Sequence, residues 1–401
     1  MPPSSRDVVA RIEDFNAGRE PERLALKYKE MSESSFAFFR GTAHLYWEDL
    51  AAAQSALPDG PLVWACGDLH FENFGSFQGD NGLSYFDIND FDDAALGSIA
   101  WEVSRFVTSV YVASPALGMN RDTANDLAAV FLDAYQAALA DGKSRWVERT
   151  TATGMIQTLL KRVSARTRAT LMREHTILKN GRRVIRYDKH ALPPTAEQRE
   201  KVTRELDKFA ATQPDPKFFR VLDLARRASG LGSLGLDRYI VLVRGDGGSN
   251  GHALLDAKEV APSSLARFAP VPQPKWRSEP DRVVAIQQRM QAVSPAMLHA
   301  KSIRRRGYVL REIQPSKDRL RIEDAKGKRR HFRSAVEVMG QVTAWAQLRS
   351  SGREGSAIAD DLIAFAGRGR WKKQLLSYGR AYAKRVELDY KHWRRSRRLR
   401  A

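Results

Sequence analysis

Residues 67–73 combine side chains that phosphoryl transfer requires. They read Gly-Asp-Leu-His-Phe-Glu-Asn, with four residues between Asp68 and Asn73. Transfer from a nucleotide needs a carboxylate that orients the acceptor's proton and an oxygen ligand that holds a metal ion on the phosphates. The kinase catalytic loop has the same Asp-x-x-x-x-Asn spacing. The loop therefore predicts a catalytic base at Asp68 and a metal ligand at Asn73.

An acidic cluster follows at residues 87–93, which read Asp-Ile-Asn-Asp-Phe-Asp-Asp. Carboxylates this close repel one another, so a cleft that holds them needs a divalent cation or strong local cations. Because side chains alternate along a strand until it ends, we predict Asp90 as a metal ligand and leave open whether Asp87 or Asp92 shares the metal. The alternative is a set of solvated loop residues. That interpretation suits either segment alone, but their joint occurrence in this order favours chemistry.

A glycine-rich loop lies far downstream, at residues 230–235, Gly-Leu-Gly-Ser-Leu-Gly. Dinucleotide-binding folds and kinases both use this G-x-G-x-x-G pattern. In the former the glycines open a helix, whereas here they lead into residues 237–244, whose Ile, Val and Tyr content favours a strand. Asp256 keeps the dinucleotide alternative open, because it lies about where a ribose-binding acid would be. We predict that four loop residues contact the nucleotide, namely Gly230, Gly232, Ser233 and Gly235.

Lys258 lies near the end of a mostly apolar strand at residues 253–260. An ammonium group is costly to bury without an anion, and nucleotide phosphates are such an anion. The alternative is an edge strand whose lysine points to water. Kinases brace this lysine with a Glu on the next helix, but the predicted helix at 281–293 contains no Glu, so the brace is unassigned. The strand at 307–314 is a candidate to supply backbone groups to an adenine edge.

Both helices and strands are expected to position these side chains. Helical spacing runs through 6–53, through 99–139 and again from 334 onward. A short strand at 62–66 and a hairpin over 73–88 surround the acidic segments. The Gln213-Pro-Asp-Pro segment predicts a boundary. Three successive strands follow it, at 220–229, 239–244 and 253–260.

Composition limits the class of protein. The chain has 401 residues, 43% hydrophobic and 28% charged, which is typical of a globular protein of two or three domains or one bilobal body. The single cysteine, Cys66, excludes an internal disulfide and a thiolate zinc cage. The first residues do not resemble a signal peptide, and no window approaches a membrane span. The sequence therefore predicts a cytoplasmic protein with no membrane span.

The charge suggests a rival function. The chain carries 66 basic and 47 acidic side chains, a net charge of +19, which attracts nucleic acid or phosphorylated ligands. Basic clusters lie at 161–173, 304–306 and 394–400. No zinc-finger or RNA-recognition signature accompanies them. Nucleic-acid binding is therefore kept as an alternative that the sequence does not favour.

The acidic segments resemble a known signature. Residues 67–73 followed by 89–97 are similar to the HGDxxxxN loop and Ile-Asp-x-x-Asp-Ala segment of aminoglycoside and choline phosphotransferases, although Cys66 stands where those enzymes often have His. The whole chain resembles the bacterial family called domain of unknown function 2252, grouped with the protein-kinase-like fold. The markers are residues 36–41, 67–75, 86–93, 230–239 and 307–314.

This resemblance implies an ATP- and Mg²⁺-dependent enzyme. By it Asp68 is the catalytic base, Asn73 and Asp90 are metal ligands, and Lys258 anchors the phosphates. Because the glycine loop follows the catalytic loop, a kinase-like fold would be circularly permuted. We expect an α+β bilobal structure, with a large, mostly helical lobe at 1–213 and 321–401 and a small β-rich nucleotide lobe at 214–320.

The predicted function is that of a kinase-like phosphotransferase of the small-molecule type, whose acceptor the sequence does not identify. Two related functions remain as alternatives. One is an enzyme that transfers AMP instead of phosphate, and the other is a pseudokinase that binds ATP without catalysing a reaction. All three require that the acidic loops near residue 70 and residue 90 meet the glycine loop and Lys258 in space.

Overall fold

The computed structural model describes residues 7–53, 56–248, 251–303, 306–315, 318–321, 324, 327 and 329–398. Parts of the predicted basic clusters, at 304–305 and 399–400, lie outside these residues. The helices are α1 (Val8–Phe15), α2 (Pro21–Met31), α3 (Ser35–Gly41), α4 (Ala43–Ala52), α5 (Ile99–Ala113), α6 (Arg121–Asp141), α7 (Gly154–Ser164), α8 (Arg168–His175), α9 (Ala196–Ala210), α10 (Ser264–Phe268), α11 (Glu279–Met290), α12 (Arg329–Ser350), α13 (Ala359–Ala366) and α14 (Trp371–Arg398).

The strands are β1 (Leu62–Ala65), β2 (Phe74–Gln78), β3 (Ser84–Ile88), β4 (Ala95–Ser98), β5 (Val147–Glu148), β6 (Thr176–Lys179), β7 (Arg182–Ile185), β8 (Ala191–Leu192), β9 (Val221–Arg227), β10 (Arg238–Val243), β11 (Ala253–Glu259), β12 (His299–Ile303) and β13 (Arg306–Glu312). The architecture is therefore mixed α+β, as predicted. Among the described residues, no helix has the length and apolar character needed to cross a membrane.

A six-stranded antiparallel sheet carries the glycine loop and the lysine. Its strand order is β12-β13-β11-β10-β9-β8. The register pairs Arg238 with Lys258 and Arg311 with Asp256. Since side chains alternate along a strand, these four side chains share one face of the sheet, which we call the lysine face. The predicted strands β9, β10, β11 and β13 are confirmed, whereas β8 and β12 were missed because they are short and only partly apolar.

The two acidic loops meet at one end of the predicted hairpin, which the structure confirms as β2 and β3. Phe74 pairs with Ile88 in this ladder, so the loop before β2 and the loop after β3 leave the hairpin side by side. The Asn89 N–H donates to the Asn73 carbonyl at 2.9 Å. The loops then run to β1 and β4, which pair with each other. The hairpin therefore brings residues 67–73 and 89–93 together.

One large hydrophobic core joins the two ends of the chain. It packs α5 and α6 against α12 and α14, with the rings of Phe106 and Phe131 stacked 3.8 Å apart. Trp371 and Trp393 of α14 are also buried there. A second cluster lies between α9 and the face of the six-stranded sheet opposite the lysine face. Residues before and after the sheet thus form one helical body.

Candidate functional site

The loop that carries Asp68 is held by α5. Glu102, in the first turn of α5, is fully buried and accepts hydrogen bonds from the Cys66 N–H at 2.9 Å and the Gly67 N–H at 3.3 Å. Gly67 has φ +84°, and a Cβ atom there would lie 1.9 Å from the Asp93 carbonyl oxygen. Burial raises the pKa of the Cys66 thiol well above its usual value, so the thiol stays protonated and unreactive. Glycine and Glu102 together fix the approach to Asp68.

Asp68 is paired with a buried cation. Arg105 donates to Asp68 Oδ1 from Nε at 2.7 Å and from Nη2 at 2.5 Å. The guanidinium of Arg105 lies 4.2 Å from the ring centroid of Phe39, which holds it in place. Burial raises the pKa of Asp68 to about 6, because desolvation and the nearby carboxylates of Asp93 and Asp90 outweigh Arg105. Its side chain remains 23% exposed. The carboxylate is therefore reachable and able to exchange a proton near neutral pH.

Asn73 joins the two acidic loops. Its Nδ2 donates to the backbone carbonyls of Asp68 at 2.9 Å and of Asp90 at 3.2 Å. Its Oδ1 accepts the Asp90 N–H at 2.8 Å. An amide oxygen has a second lone pair, so the positions of these bonds are compatible with one further contact to a metal ion. The sequence reasoning did not anticipate this bracing role.

Lys258 meets the acidic loop from 168 residues away. Its Nζ lies 3.1 Å from Asp90 Oδ1 and 2.5 Å from Asp92 Oδ2. The lysine side chain is 8% exposed and belongs to β11, which lies between β10 and β13, so the edge-strand alternative is wrong. The helix predicted at 281–293 without a Glu is observed as α11 and begins with Glu279, which is paired with Arg282 at 2.7 Å. Two loop carboxylates therefore brace the lysine. This answers the question that the helix sequence left open.

The two carboxylates that touch Lys258 differ in the direction of their pKa shifts. Burial by itself raises the pKa of Asp90, but Lys258, Arg319 and Arg311 outweigh it and hold that pKa below its usual value. Burial raises the pKa of Asp92, and the charge of Asp90 adds to the effect, although Lys258 opposes it. The ionised form is therefore favoured more strongly at Asp90 than at Asp92.

The remaining acids of the cluster have structural partners. Asp87 is buried, and its Oδ2 lies 3.2 Å from Arg349 Nη2 of α12. Asp93 accepts hydrogen bonds from the N–H and the hydroxyl of Ser264 at the start of α10. The sequence left open whether Asp87 or Asp92 shares a metal ion with Asp90. Asp92 contacts Lys258 together with Asp90, whereas Asp87 is paired with Arg349.

The glycine loop connects two paired strands, as predicted. β9 leads through a 3₁₀ turn at Leu231–Ser233 into β10. Gly230 and Gly235 have φ of +89° and +92°, a conformation that glycine adopts readily. A strand rather than a helix follows the loop, so the dinucleotide alternative is wrong.

Two basic side chains near the start of the chain, Arg19 in the turn between α1 and α2 and Lys27 of α2, hold the glycine loop. The Gly232 carbonyl accepts hydrogen bonds from Arg19 Nη1 at 2.9 Å and from Lys27 Nζ at 3.1 Å. Lys27 is fully buried, and burial lowers the pKa of its ammonium group well below the usual value. Sequence reasoning missed both residues because more than 200 positions separate each of them from the loop.

Asp256, the proposed ribose-binding acid of the dinucleotide alternative, is instead part of an ion cluster. It is 0% exposed and accepts hydrogen bonds from Arg238 Nε at 2.8 Å and Nη2 at 2.5 Å. Arg227 Nη1 lies 3.1 Å from Asp256 Oδ2. Burial tends to raise the pKa of Asp256, but Arg227 and Arg238 hold it well below its usual value. This carboxylate stabilises the sheet and is not accessible to a ribose.

A cavity of about 90 Å³, the central cavity, brings most of the predicted residues together. Its lining includes Asp68, Asn73, Asp90, Gly230, Gly232 and Ser233. Gly235 lines a neighbouring cleft instead, and Lys258 lies behind its two carboxylate partners.

Arg319 also lines the central cavity and was not anticipated from the sequence. No carboxylate of the described residues forms an ion pair with it. Burial lowers the pKa of Arg319 to about 10, against the opposing pull of Asp90. The guanidinium remains charged at neutral pH and is available to an anion that enters the cavity.

The donor set suits a magnesium ion that arrives with phosphates. Mg²⁺ commonly binds through one or two carboxylates, waters and substrate phosphates rather than through a complete protein cage. Asp90 is ionised, and the Asn73 amide oxygen is hydrogen-bonded to its backbone. No group of three His, Cys, Asp or Glu side chains in the described part of the chain has metal-binding geometry.

The comparisons with known proteins add one match. A family model described as "Uncharacterized protein conserved in bacteria (DUF2252)" matches residues 19–396. No curated protein and no solved structure matches the sequence. The family match spans both acidic loops, the glycine loop and Lys258.

Proposed function

The chain belongs to the DUF2252 family of bacterial proteins, and from its site we propose that it is an ATP- and Mg²⁺-dependent phosphotransferase of the kinase-like type. The observation that carries the proposal is the meeting of two distant sets of residues. Asp68, Asn73 and Asp90 share the central cavity with the glycine loop. Lys258 forms ion pairs at the same place. Phosphoryl transfer is catalysed mainly by such positioning and charge neutralisation.

Each residue has a role in this proposal. Mg²⁺, when bound, would neutralise phosphate charge, and Asp90 with the Asn73 amide oxygen would hold it. Lys258 releases its carboxylate partners and binds phosphate oxygens, while the glycine loop covers the phosphates. Asp68 accepts a hydrogen bond from the acceptor hydroxyl and takes its proton. Arg105 orients Asp68 through Oδ1, and His70 Nε2 lies 3.8 Å from Oδ2.

The order of parts around the glycine loop supports the kinase-like proposal. In protein kinases a glycine-rich loop covers the phosphates, the lysine lies on the third strand, and a helix follows. Here the loop joins β9 and β10, Lys258 lies on β11, and α11 comes before β12 and β13. We accordingly propose a circularly permuted kinase-like arrangement, with 214–320 as the nucleotide lobe and 1–213 with 321–401 as the helical lobe.

The direct test uses the purified protein with Mg²⁺, a metabolite extract and ATP labelled at either the α or the γ phosphate. We expect γ label in a product and none from α-labelled ATP. Transfer of α label would identify AMP transfer, and ATP binding without any transfer would identify a pseudokinase. Failure to bind Mg·ATP in calorimetry would refute the nucleotide function.

A further inference from the structure

The part of the lysine face near the end of β13 is covered by other side chains of the protein. Asp256, two residues before Lys258 on this face, is paired with Arg238 and Arg227. Farther along the same face, Ala225, Ile240, Leu242, Leu254 and Ile313 pack against Met172 of α8 and Ile185 of β7. Met172 and Ile185 are both buried. The sheet face beside Asp256 is therefore closed to a purine base. A cavity of about 730 Å³ lies farther out, beside residues 311–315, but it shares no lining residue with the central cavity.

The backbone groups at the end of β13 are also engaged. The Glu312 N–H donates to the Ala296 carbonyl, and the Ile313 N–H donates to the Leu254 carbonyl, each at 2.9 Å. The Gln314 carbonyl accepts a hydrogen bond from Arg227 Nη2 at 3.0 Å. Sequence analysis suggested that this strand supplies backbone groups to an adenine edge. The groups at its end are already hydrogen-bonded within the protein.

The central cavity opens in the opposite direction, into a cleft of about 1370 Å³ that we call the outer cleft. Phe15, Arg19, Leu236, Ala261 and Pro262 line both spaces and so form the passage between them. The outer cleft exceeds the ~300–1000 Å³ of typical small-molecule sites, so a nucleoside fits with room to spare.

The chemistry of the outer cleft suits an uncharged ring system. Its lining contains six carboxylate and six cationic side chains, so it has no net charge that would favour phosphate. Trp276 contributes an aromatic wall, and Pro262 and Pro274 contribute apolar rings. The central cavity, by contrast, is lined by five carboxylate and three arginine side chains, so phosphates would enter it together with Mg²⁺ and beside Arg319. The uncharged half of a nucleotide therefore suits the outer cleft, and its Mg²⁺-bound phosphates suit the central cavity.

Building on the proposed function, we propose that the outer cleft binds the base and ribose of the nucleotide, with its phosphates directed inward to Lys258 and Arg319. The base then lies on the side of the lysine away from Asp256 and from the end of β13 at Glu312. This orientation follows from which space is filled and which is open. The proposal thus locates the binding site of the base and ribose, which the sequence motifs did not identify.

A steric variant tests this assignment. Pro274 is partly exposed and lines the outer cleft but not the central cavity, so Pro274→Trp should narrow the outer cleft alone. Calorimetry should show at least a tenfold loss of affinity for Mg·ATP and less than a twofold change for Mg·tripolyphosphate, which has no base. Pro272→Trp is the matched control, since Pro272 is exposed in the same loop but does not line the cleft, and it should change neither affinity. Equal losses for both ligands, or unchanged ATP affinity, would overturn the assignment.

Photolabelling with 8-azido-ATP and Mg²⁺, followed by mass spectrometry, locates the base directly. We expect label in residues 14–21 or 261–279. Label in residues 171–192 or 221–228 would mean that α8 and β7 move aside to admit the base, and the assignment would be wrong while the nucleotide function stood. Tripolyphosphate that binds without ATP competition would refute the proposed function itself.

Discussion

Asp68 combines two features that a general base needs near neutral pH. It is buried enough for its pKa to rise to about 6, yet it keeps a partly exposed oxygen beside the central cavity. Arg105 prevents a larger rise and fixes the direction of the carboxylate. A carboxylate with such a pKa is ionised at pH 7 and still basic enough to take a proton.

The first prediction concerns pH. Because Asp68 must be ionised to act as base, kcat/KM should fall as the pH drops through about 6, the pKa of Asp68. Stability should respond in the opposite sense. The pKa of Asp68 is higher in the folded than in the unfolded chain, so its contribution to stability increases as the pH falls from about 6 toward the ordinary value of 3.8. An activity profile that is flat between pH 5 and 7.5 would exclude Asp68 as the base.

The second prediction concerns the same carboxylate by substitution. Asp68→Asn keeps the shape of the side chain but removes the base, and turnover should fall by about 10²- to 10⁴-fold. Affinity for Mg·ATP should change little, because Asp68 is not assigned to the phosphates. Asp80→Asn, an exposed position in the β2–β3 turn, serves as the control and should keep full turnover. Retained turnover in Asp68→Asn would remove Asp68 from the mechanism.

At the scale of elements, the site depends on short loops held by the first turn of a helix and by a hairpin. Glu102 binds the backbone of the loop before β2, and Asn73 ties that loop to the one after β3. The glycine loop is held by Arg19 from the turn between α1 and α2 and by Lys27 of α2. The positions of the two acidic loops and of the glycine loop therefore depend on a few buried polar contacts as well as on strand pairing.

The third prediction tests the tightest of these loops. Gly67→Ala requires a side chain at φ +84° and places Cβ 1.9 Å from the Asp93 carbonyl oxygen. Gly82→Ala imposes a similar backbone strain, at φ +77°, but its Cβ would meet nothing within 4 Å. In urea unfolding, Gly82→Ala should cost about 1–2 kcal/mol. Gly67→Ala should cost clearly more and should also abolish turnover. Equal costs would show that the loop can relax.

At the scale of the whole molecule, the helical body is built from both ends of the chain. Tyr382 of α14 donates a hydrogen bond to Asp49 near the end of α4 at 2.7 Å, and Trp393 donates from its indole to Ser32. Trp371 packs near Tyr135 of α6. The segments that flank the six-stranded sheet in sequence are thus parts of one core.

The fourth prediction follows from this shared core. A chain ending at residue 320 lacks α12, α13 and α14 and leaves the apolar faces of α5 and α6 exposed, so it should lose cooperative thermal unfolding. Near-ultraviolet circular dichroism should lose its fixed aromatic signal as well. A truncated chain with a sharp transition at the temperature of the full protein would show that residues 1–320 form a complete folding unit.

Local patterns were sufficient for the parts that depend on near neighbours. The β2–β3 hairpin and the strands around the glycine loop were recognisable from residue types and spacing, and the same reasoning singled out residues 67–73 and 87–93 as candidates. The structure brings Asp68, Asn73, Asp90 and the glycine loop into one cavity, as the sequence hypothesis required. Their catalytic roles remain predictions.

What only the tertiary structure decided are the partners that lie far apart in sequence. Examples are Asp90 and Asp92 on Lys258, Arg105 on Asp68, and Met172 with Ile185 in the space where a base was expected. The reason is physical. Hydrophobic periodicity and turn chemistry act over a few residues, whereas an ion pair or a filled space depends on how whole elements pack.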